Sequence, residues 1–135
     1  MAGHKLSAKA QAQFEFLESV SRECDHLAGL TETYAGGKGA SQDQTFQTIV
    51  RTLGHLRQKA MIQNLGPIAD AAGIMAIGAN RGSVMQRARF LREQLASYKT
   101  NIERTQKALV GADAREKAEA EKVIAKRSAA AGQSD

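Results

Sequence analysis

Apolar residues recur along this chain at steps of three and four and almost nowhere at steps of two, so the pattern predicts helices and no strand. From Ser7, a candidate N-cap, the residues Ala10, Phe14, Leu17, Val20, Cys24, Leu27 and Ala28 form a stripe running to about Tyr34. Glu15, Glu18, Arg22, Glu23 and Asp25 take the opposite face, as in an amphipathic helix. The run Ala35 to Ser41 has no periodicity and holds three glycines, which predicts a loop that reverses the chain. A second helix is expected from about Gln42, with Phe46, Ile49, Val50, Leu53, Leu56 and Ala60 on one face. It runs to Leu65, where Gly66 and Pro67 break the pattern. Pro67 suits the first turn of a third helix, to about Ala79. That segment is apolar nearly all round (Ile68, Ala71, Ala72, Ile74, Met75, Ala76, Ile77) and is expected to be buried on more than one side. Asn80, Arg81 and Gly82 predict a turn, and Ser83 the cap of a fourth helix. Its stripe of Val84, Ala88, Leu91, Leu95, Tyr98, Ile102, Thr105 and Leu109 has the spacing of a and d positions. Four helices joined by short turns imply an all-α, antiparallel four-helix bundle, up-down-up-down, over residues 7–110, with a short third member. Residues 111–135 are dominated by Ala, Glu and Lys, with Val123 and Ile124 as the large aliphatics, and read as a solvated helical or disordered tail.

Composition supports one helical domain: there is a single proline, and Ala, Leu, Gln, Lys, Arg and Glu are abundant. The lone Cys24 cannot form an internal disulfide and sits on an apolar stripe, which fits a buried thiol in a reducing compartment. Met1 to Leu6 lacks the apolar run of a signal peptide, and no stretch reaches the roughly 18 apolar residues of a membrane span. A cytoplasmic protein without membrane contact is the expectation.

Charge changes the picture. The stretch from Gln44 to Arg92 carries Arg51, Arg57, Lys59, Arg81, Arg87, Arg89 and Arg92 against one acid, Asp70, and so accounts for the whole positive balance of the chain. Such a segment suits an anionic partner: a phosphoryl group, an acidic protein or a nucleic acid. At about 100° per residue, His55 falls nearly opposite the apolar face of the second helix. Arg51 lies one turn before it and Lys59 one turn after, with Gln58 three residues on and Ile62 seven on. A neutral imidazole in that frame has a lone pair able to attack phosphorus, and the cations would hold the transferred group. His26 lies beside Glu23 and Asp25, which would repel a phosphoryl group, and His4 is in the N-terminal segment. The histidines and the cysteine show no paired ligand spacing, so no metal site is expected. Gly36, Gly37, Lys38 and Gly39 lack the strand and the Lys-Ser/Thr of a phosphate-binding loop. No hydrolase or metalloenzyme signature is present.

The layout over roughly Gln11 to Leu109, with a histidine midway along the second helix about eleven residues before a Leu-Gly pair, resembles the histidine-containing phosphotransfer (HPt) family. That family's motif is roughly His-x-Leu-Lys-Gly followed by small residues and a Leu-Gly or Val-Gly pair. The corresponding segment here is His55, Leu56, Arg57, Gln58, Lys59 and Ala60, closed by Leu65 and Gly66. The resemblance implies a four-helix bundle that passes a phosphoryl group between receiver-domain aspartates in two-component signalling. His55 would be the acceptor, Lys59, Arg51 and Gln58 the phosphoryl-stabilising groups, and Ile62, Arg57 and Arg87 the docking contacts. It implies a response-regulator receiver or a hybrid histidine kinase as partner, with magnesium supplied by the receiver and no cofactor of the chain's own. The lysine stands four residues after His55, where the family has three. If Lys59 and Gly66 set the register, Leu56 takes the histidine position and Ala60 the glycine position, which describes a pseudo-phosphotransfer domain. Two other classes stay open: a helical adaptor or homodimer using its third or fourth helix, and a nucleic-acid binder using Arg87, Arg89 and Arg92. The last is the weakest fit, because aromatics for stacking are scarce and no recognition-helix unit is recognisable.

Overall fold

A computed structural model describes residues 6–133, which are all-helical and contain no strand. The elements are α1 (Ala8–Gly36), α2 (Gly39–Ile62), α3 (Gly66–Gly78) and α4 (Val84–Gln133). Each start has an identifiable cause. The Ser7 hydroxyl accepts from the Ala10 N–H at 3.2 Å and opens α1. Pro67 occupies the first turn of α3, where its missing N–H costs nothing. Ser83 and Gln86 cap α4 reciprocally: the Gln86 N–H donates to Ser83 Oγ at 3.2 Å, and the Ser83 N–H donates to Gln86 Oε1 at 2.9 Å.

Two boundaries differ from the sequence expectation. The predicted loop from Ala35 to Ser41 shrinks to Gly37 and Lys38, because α1 continues through Gly36 and α2 begins at Gly39 rather than near Gln42. Gln42 explains this. Its side-chain amide donates to both the Tyr34 and the Gly37 carbonyls at 2.9 Å, satisfying the end of α1 from the first turn of α2. The α2 stop is made by Asn64 at φ 59°, a left-handed position that asparagine tolerates, while the Leu65 N–H reaches back to the Ala60 carbonyl at 2.9 Å. Gly66, read as the breaker, is instead the first residue of α3.

The helices form a helical bundle around one core. α1 packs along α4 and α2, and α3 packs along α2 and α4, so that α2 and α4 lie diagonally across the bundle and meet through side chains such as Arg87 and Phe46. The core takes Leu17, Val20, Cys24, Leu27 and Tyr34 from α1, Ile49, Leu53 and Leu56 from α2, Ala72 and Met75 from α3, and Leu91, Leu95, Tyr98 and Ile102 from α4. The α1/α4 seam is flanked by polar bonds: Arg92 grips Glu32 with two bonds at 2.7 and 2.8 Å, Lys99 meets Asp25 at 2.7 Å, and Gln106 donates to the Phe14 carbonyl at 3.4 Å. The Arg92 guanidinium hydrogen-bonded to Glu32 holds that carboxyl below its ordinary value. Across α3 and α4, the Tyr98 hydroxyl donates to the Ile68 carbonyl at 3.1 Å. Gly78 lies against the Phe90 ring, in the space where a Cβ would stand.

The third helix departs from the expectation. Ile68, Ala69, Ala72 and Met75 are buried, but Ile74 and Ile77 are 65% and 67% exposed, so α3 is covered on one side only. The stretch after Val110, expected as a solvated helical or disordered tail, is a helical continuation of α4 as far as the described residues go. α4 runs on through Gly111 without a break to Gln133, and its side chains described from Ala112 to Ala125 are exposed. With the propensity of its Ala, Glu and Lys residues, this half of the helix needs no partner to supply its backbone bonds. The last two residues of the predicted tail, and His4, lie outside the described residues.

Three outcomes follow from this packing. Burial, with the Asp25 charge adding to it, pushes the Cys24 thiol up to about 12. At pH 8 a chromogenic disulfide reagent is therefore expected to leave the native protein unlabelled and to label it rapidly in denaturant; fast native labelling would contradict the packing. Gly78→Ala should cost about 1–3 kcal/mol in urea unfolding, because Phe90 must move. Gly29→Ala, where nothing lies within 4 Å, should instead stabilise by about 0.5–1 kcal/mol through helix propensity.

Candidate functional site

The outward face of α2 is set by its own inward stripe. With Phe46, Ile49, Leu53, Leu56 and Ala60 buried, the residues across the helix axis are turned to solvent, and His55 is exposed among them. Arg51, Gln58, Lys59 and Ile62 are exposed on the same side, and Ile62, at 76%, is the most exposed large apolar residue of the described chain. From Gln44 to Ile62, α2 carries no carboxylate. Among the described residues the His55 ring has no hydrogen-bond partner, so neither ring nitrogen is oriented by the protein. The arrangement offers an accessible imidazole, two cations on adjacent turns and an apolar contact. It can receive an anionic group from an approaching surface, but it encloses none.

Arg57 and Arg87 do not join this face. Arg57 lies about 160° round α2 from His55 and borders a groove between α2 and α3, with Gly54, Asp70, Gly73, Ile74 and Ile77. Its side chain crosses Gly73, whose hydrogen leaves room where a Cβ would come within 3.1 Å of Arg57 Cδ. Arg87 is half-buried at the other end of α2. Its guanidinium carbon stacks 4.7 Å from the centre of the Phe46 ring, and Nη2 donates to the Asn80 carbonyl at 3.4 Å. The Phe46 ring in turn lies 5.1 Å from that of Tyr34. Arg87 therefore stands apart from the His55 face, and its position ties the start of α4 to α2. Arg51 shares a cleft with Arg87, Asn80, Gln47 and Asp43 at this end, so it faces both His55 and that cleft.

The arginine cluster at the start of α4 is dispersed by the same packing. Arg92, although exposed, is engaged by Glu32, and Arg87 by Phe46, which leaves Arg89 as the exposed cation of the three that no described residue engages. His26 is exposed, and no group of three or more His, Cys, Asp or Glu among the described residues converges as a metal site. No helix among them is long and apolar enough to cross a membrane. Sequence reasoning missed the exposed groove between α2 and α3. The signal available was the surplus of apolar residues on α3, more than one buried face can use.

No family model, curated protein or solved structure matches this chain. The likeness of the His55 segment to phosphotransfer domains rests on the layout of its residues alone.

The two arginine environments separate in mutational energetics. Arg87→Ala is expected to lower stability by about 1 kcal/mol through the lost stacking on Phe46. His55→Gln and Lys59→Ala should each stay within about 0.5 kcal/mol of the parent in urea unfolding, as exposed residues with no packing role.

Proposed function

We propose that this chain is a phosphotransfer module of the histidine-containing type, an antiparallel up-down-up-down bundle that presents His55 to receiver domains. The observation that carries the reading is an exposed histidine midway along α2, with Arg51 and Lys59 a turn to either side and no acid on that helix within reach. The bundle topology is supported by contacts that run in opposite order along α1 and α4, Asp25 with Lys99 and Glu32 with Arg92.

In the transfer, a lone pair on a neutral His55 ring nitrogen attacks the phosphorus of a receiver's aspartyl phosphate in line. The P–N bond forms as the P–O bond breaks, and the aspartate carboxylate leaves with that electron pair. The proton on the other ring nitrogen stays where it is. Arg51 and Lys59 balance charge on the equatorial oxygens, Gln58 can donate to them, and the receiver's magnesium serves the aspartate side. Ile62 supplies an apolar contact beside the site, and the basic helix complements an acidic receiver face. The reverse step onto a second receiver completes a relay.

A second reading keeps the docking face and drops the chemistry. It is favoured by the His55 ring having no orienting partner, and by the register in which Lys59 and Gly66 align and Leu56 takes the histidine position. Incubation with a panel of phosphorylated receiver domains, read by intact mass and phosphorus NMR, separates the two. The relay predicts an acid-labile phosphate on the parent protein, absent in His55→Gln, and a transfer rate at least about ten-fold lower in Lys59→Ala. Receiver binding without label establishes the docking module, and neither label nor binding removes both.

A further inference from the structure

We infer that the outer face of α3 is a self-complementary surface on which a second copy of this chain packs, antiparallel and across a two-fold axis. The face consists of Asp70, Ile74 and Ile77, spaced four and three residues apart in one line on α3, with Arg81 four residues further on in the turn that follows the helix. All four are exposed, and the two isoleucines are two-thirds so. Arg81 lies three residues past α3, in a turn whose Asn80 and Arg81 N–H groups bond to the Ile77 and Gly78 carbonyls, which keeps it at the C-terminal end of the line.

The order of the residues identifies the occupant. Along the line it runs acid, isoleucine, isoleucine, base. When a copy of the same helix is laid beside it in the opposite direction, Asp70 stands against Arg81 of the other copy, Ile74 against Ile77, and the remaining pairs repeat by symmetry. An isologous interface demands that relation, in which each residue meets the partner of its own partner. A parallel arrangement would set acid on acid and base on base. The flanks leave room for the approach. On the α2 side the groove is floored by Gly54, Gly73 and Ala76, and on the α4 side the neighbours Gln94, Ser97 and Asn101 are uncharged. Arg57 borders the groove on the same side as Asp70, so the acid moderates the like charge that two copies bring together.

The contact is small, with two isoleucines per copy at its centre, and belongs among weak interfaces below about 1,200 Å². The His55 face of α2 points elsewhere, so this association stands or falls independently of any phosphotransfer.

Sedimentation of the full chain between about 5 and 500 μM tests the proposal, that range being suited to a weak interface. The parent is expected to pass from monomer to dimer mass. Ile74→Lys and Ile77→Lys, each with unchanged circular dichroism because these side chains support no core, should weaken association at least about ten-fold. Asp70→Arg and Arg81→Asp should each weaken it about three-fold or more, and the double variant carrying both should recover the parental constant to within about two-fold. A parent that stays monomeric throughout overturns the proposal and leaves the face to a different partner. So does a dimer indifferent to the isoleucine changes, or a double swap that fails to recover.

Discussion

The apolar stripe of α4 from Ala88 to Ile102 has to leave water, and α1 is the helix packed most extensively against α4. The rest of the structure is built on that seam. Leu17, Val20, Cys24 and Leu27 supply the opposing surface, and Arg92 with Glu32 and Lys99 with Asp25 stand at its margin. Exposed pairs of this kind add little stability, but they select one register between two helices whose apolar faces would tolerate a slide of a turn. With the register set, Tyr98 comes under the start of α3 and bonds the Ile68 carbonyl, and Phe90 fills the space beside Gly78. The placement of α3 thus follows from that of α4.

The hairpin of α2 and α3 closes the other side of the core with helices of unequal length, 24 and 13 residues against 29 in α1. A short helix can bury one stripe against its neighbours and no more. Ile68, Ala69, Ala72 and Met75 use that stripe, so the surplus apolar residues of α3 are turned to solvent beside the glycine-floored groove. Most of α2's outer surface, by contrast, is polar and cationic, with His55 at its middle and Ile62 standing out. The molecule therefore presents two different outward faces, one apolar with charges at its ends and one basic with a single accessible imidazole. A relay or adaptor that must meet more than one surface has a use for both.

The basic stretch between Gln44 and Arg92 reads as one feature along the chain, but packing divides it into separate duties. Arg92 is spent on the α1/α4 seam, Arg87 on the Phe46 ring, and Arg57 on the groove beside Gly73, while Arg51 and Lys59 remain with His55. Net charge describes the field felt at a distance. The local environments decide which of these cations is available to a ligand.

The helices, their caps at Ser7 and Ser83, the proline start of α3, the buried stripes and the exposure of His55 were legible in the sequence, because they depend on periodicity and on bonds within a few residues. The two-residue link between α1 and α2 was not legible: glycines read as loop, and only Gln42 reaching back to Tyr34 and Gly37 makes the longer helix affordable. Nor was the left-handed Asn64 that ends α2 where Gly66 and Pro67 seemed to. Of the residues assigned to the site, Arg51, Gln58, Lys59 and Ile62 share a face with His55 because they share a helix with it, which arithmetic on one element can show. Arg57 and Arg87 are directed elsewhere by contacts with Gly73 and Phe46, residues 16 and 41 positions away in the chain. Periodicity places a residue on a helix; which apolar face stays uncovered, and which arginine stays available, depends on how long the neighbouring helix is and what it carries there.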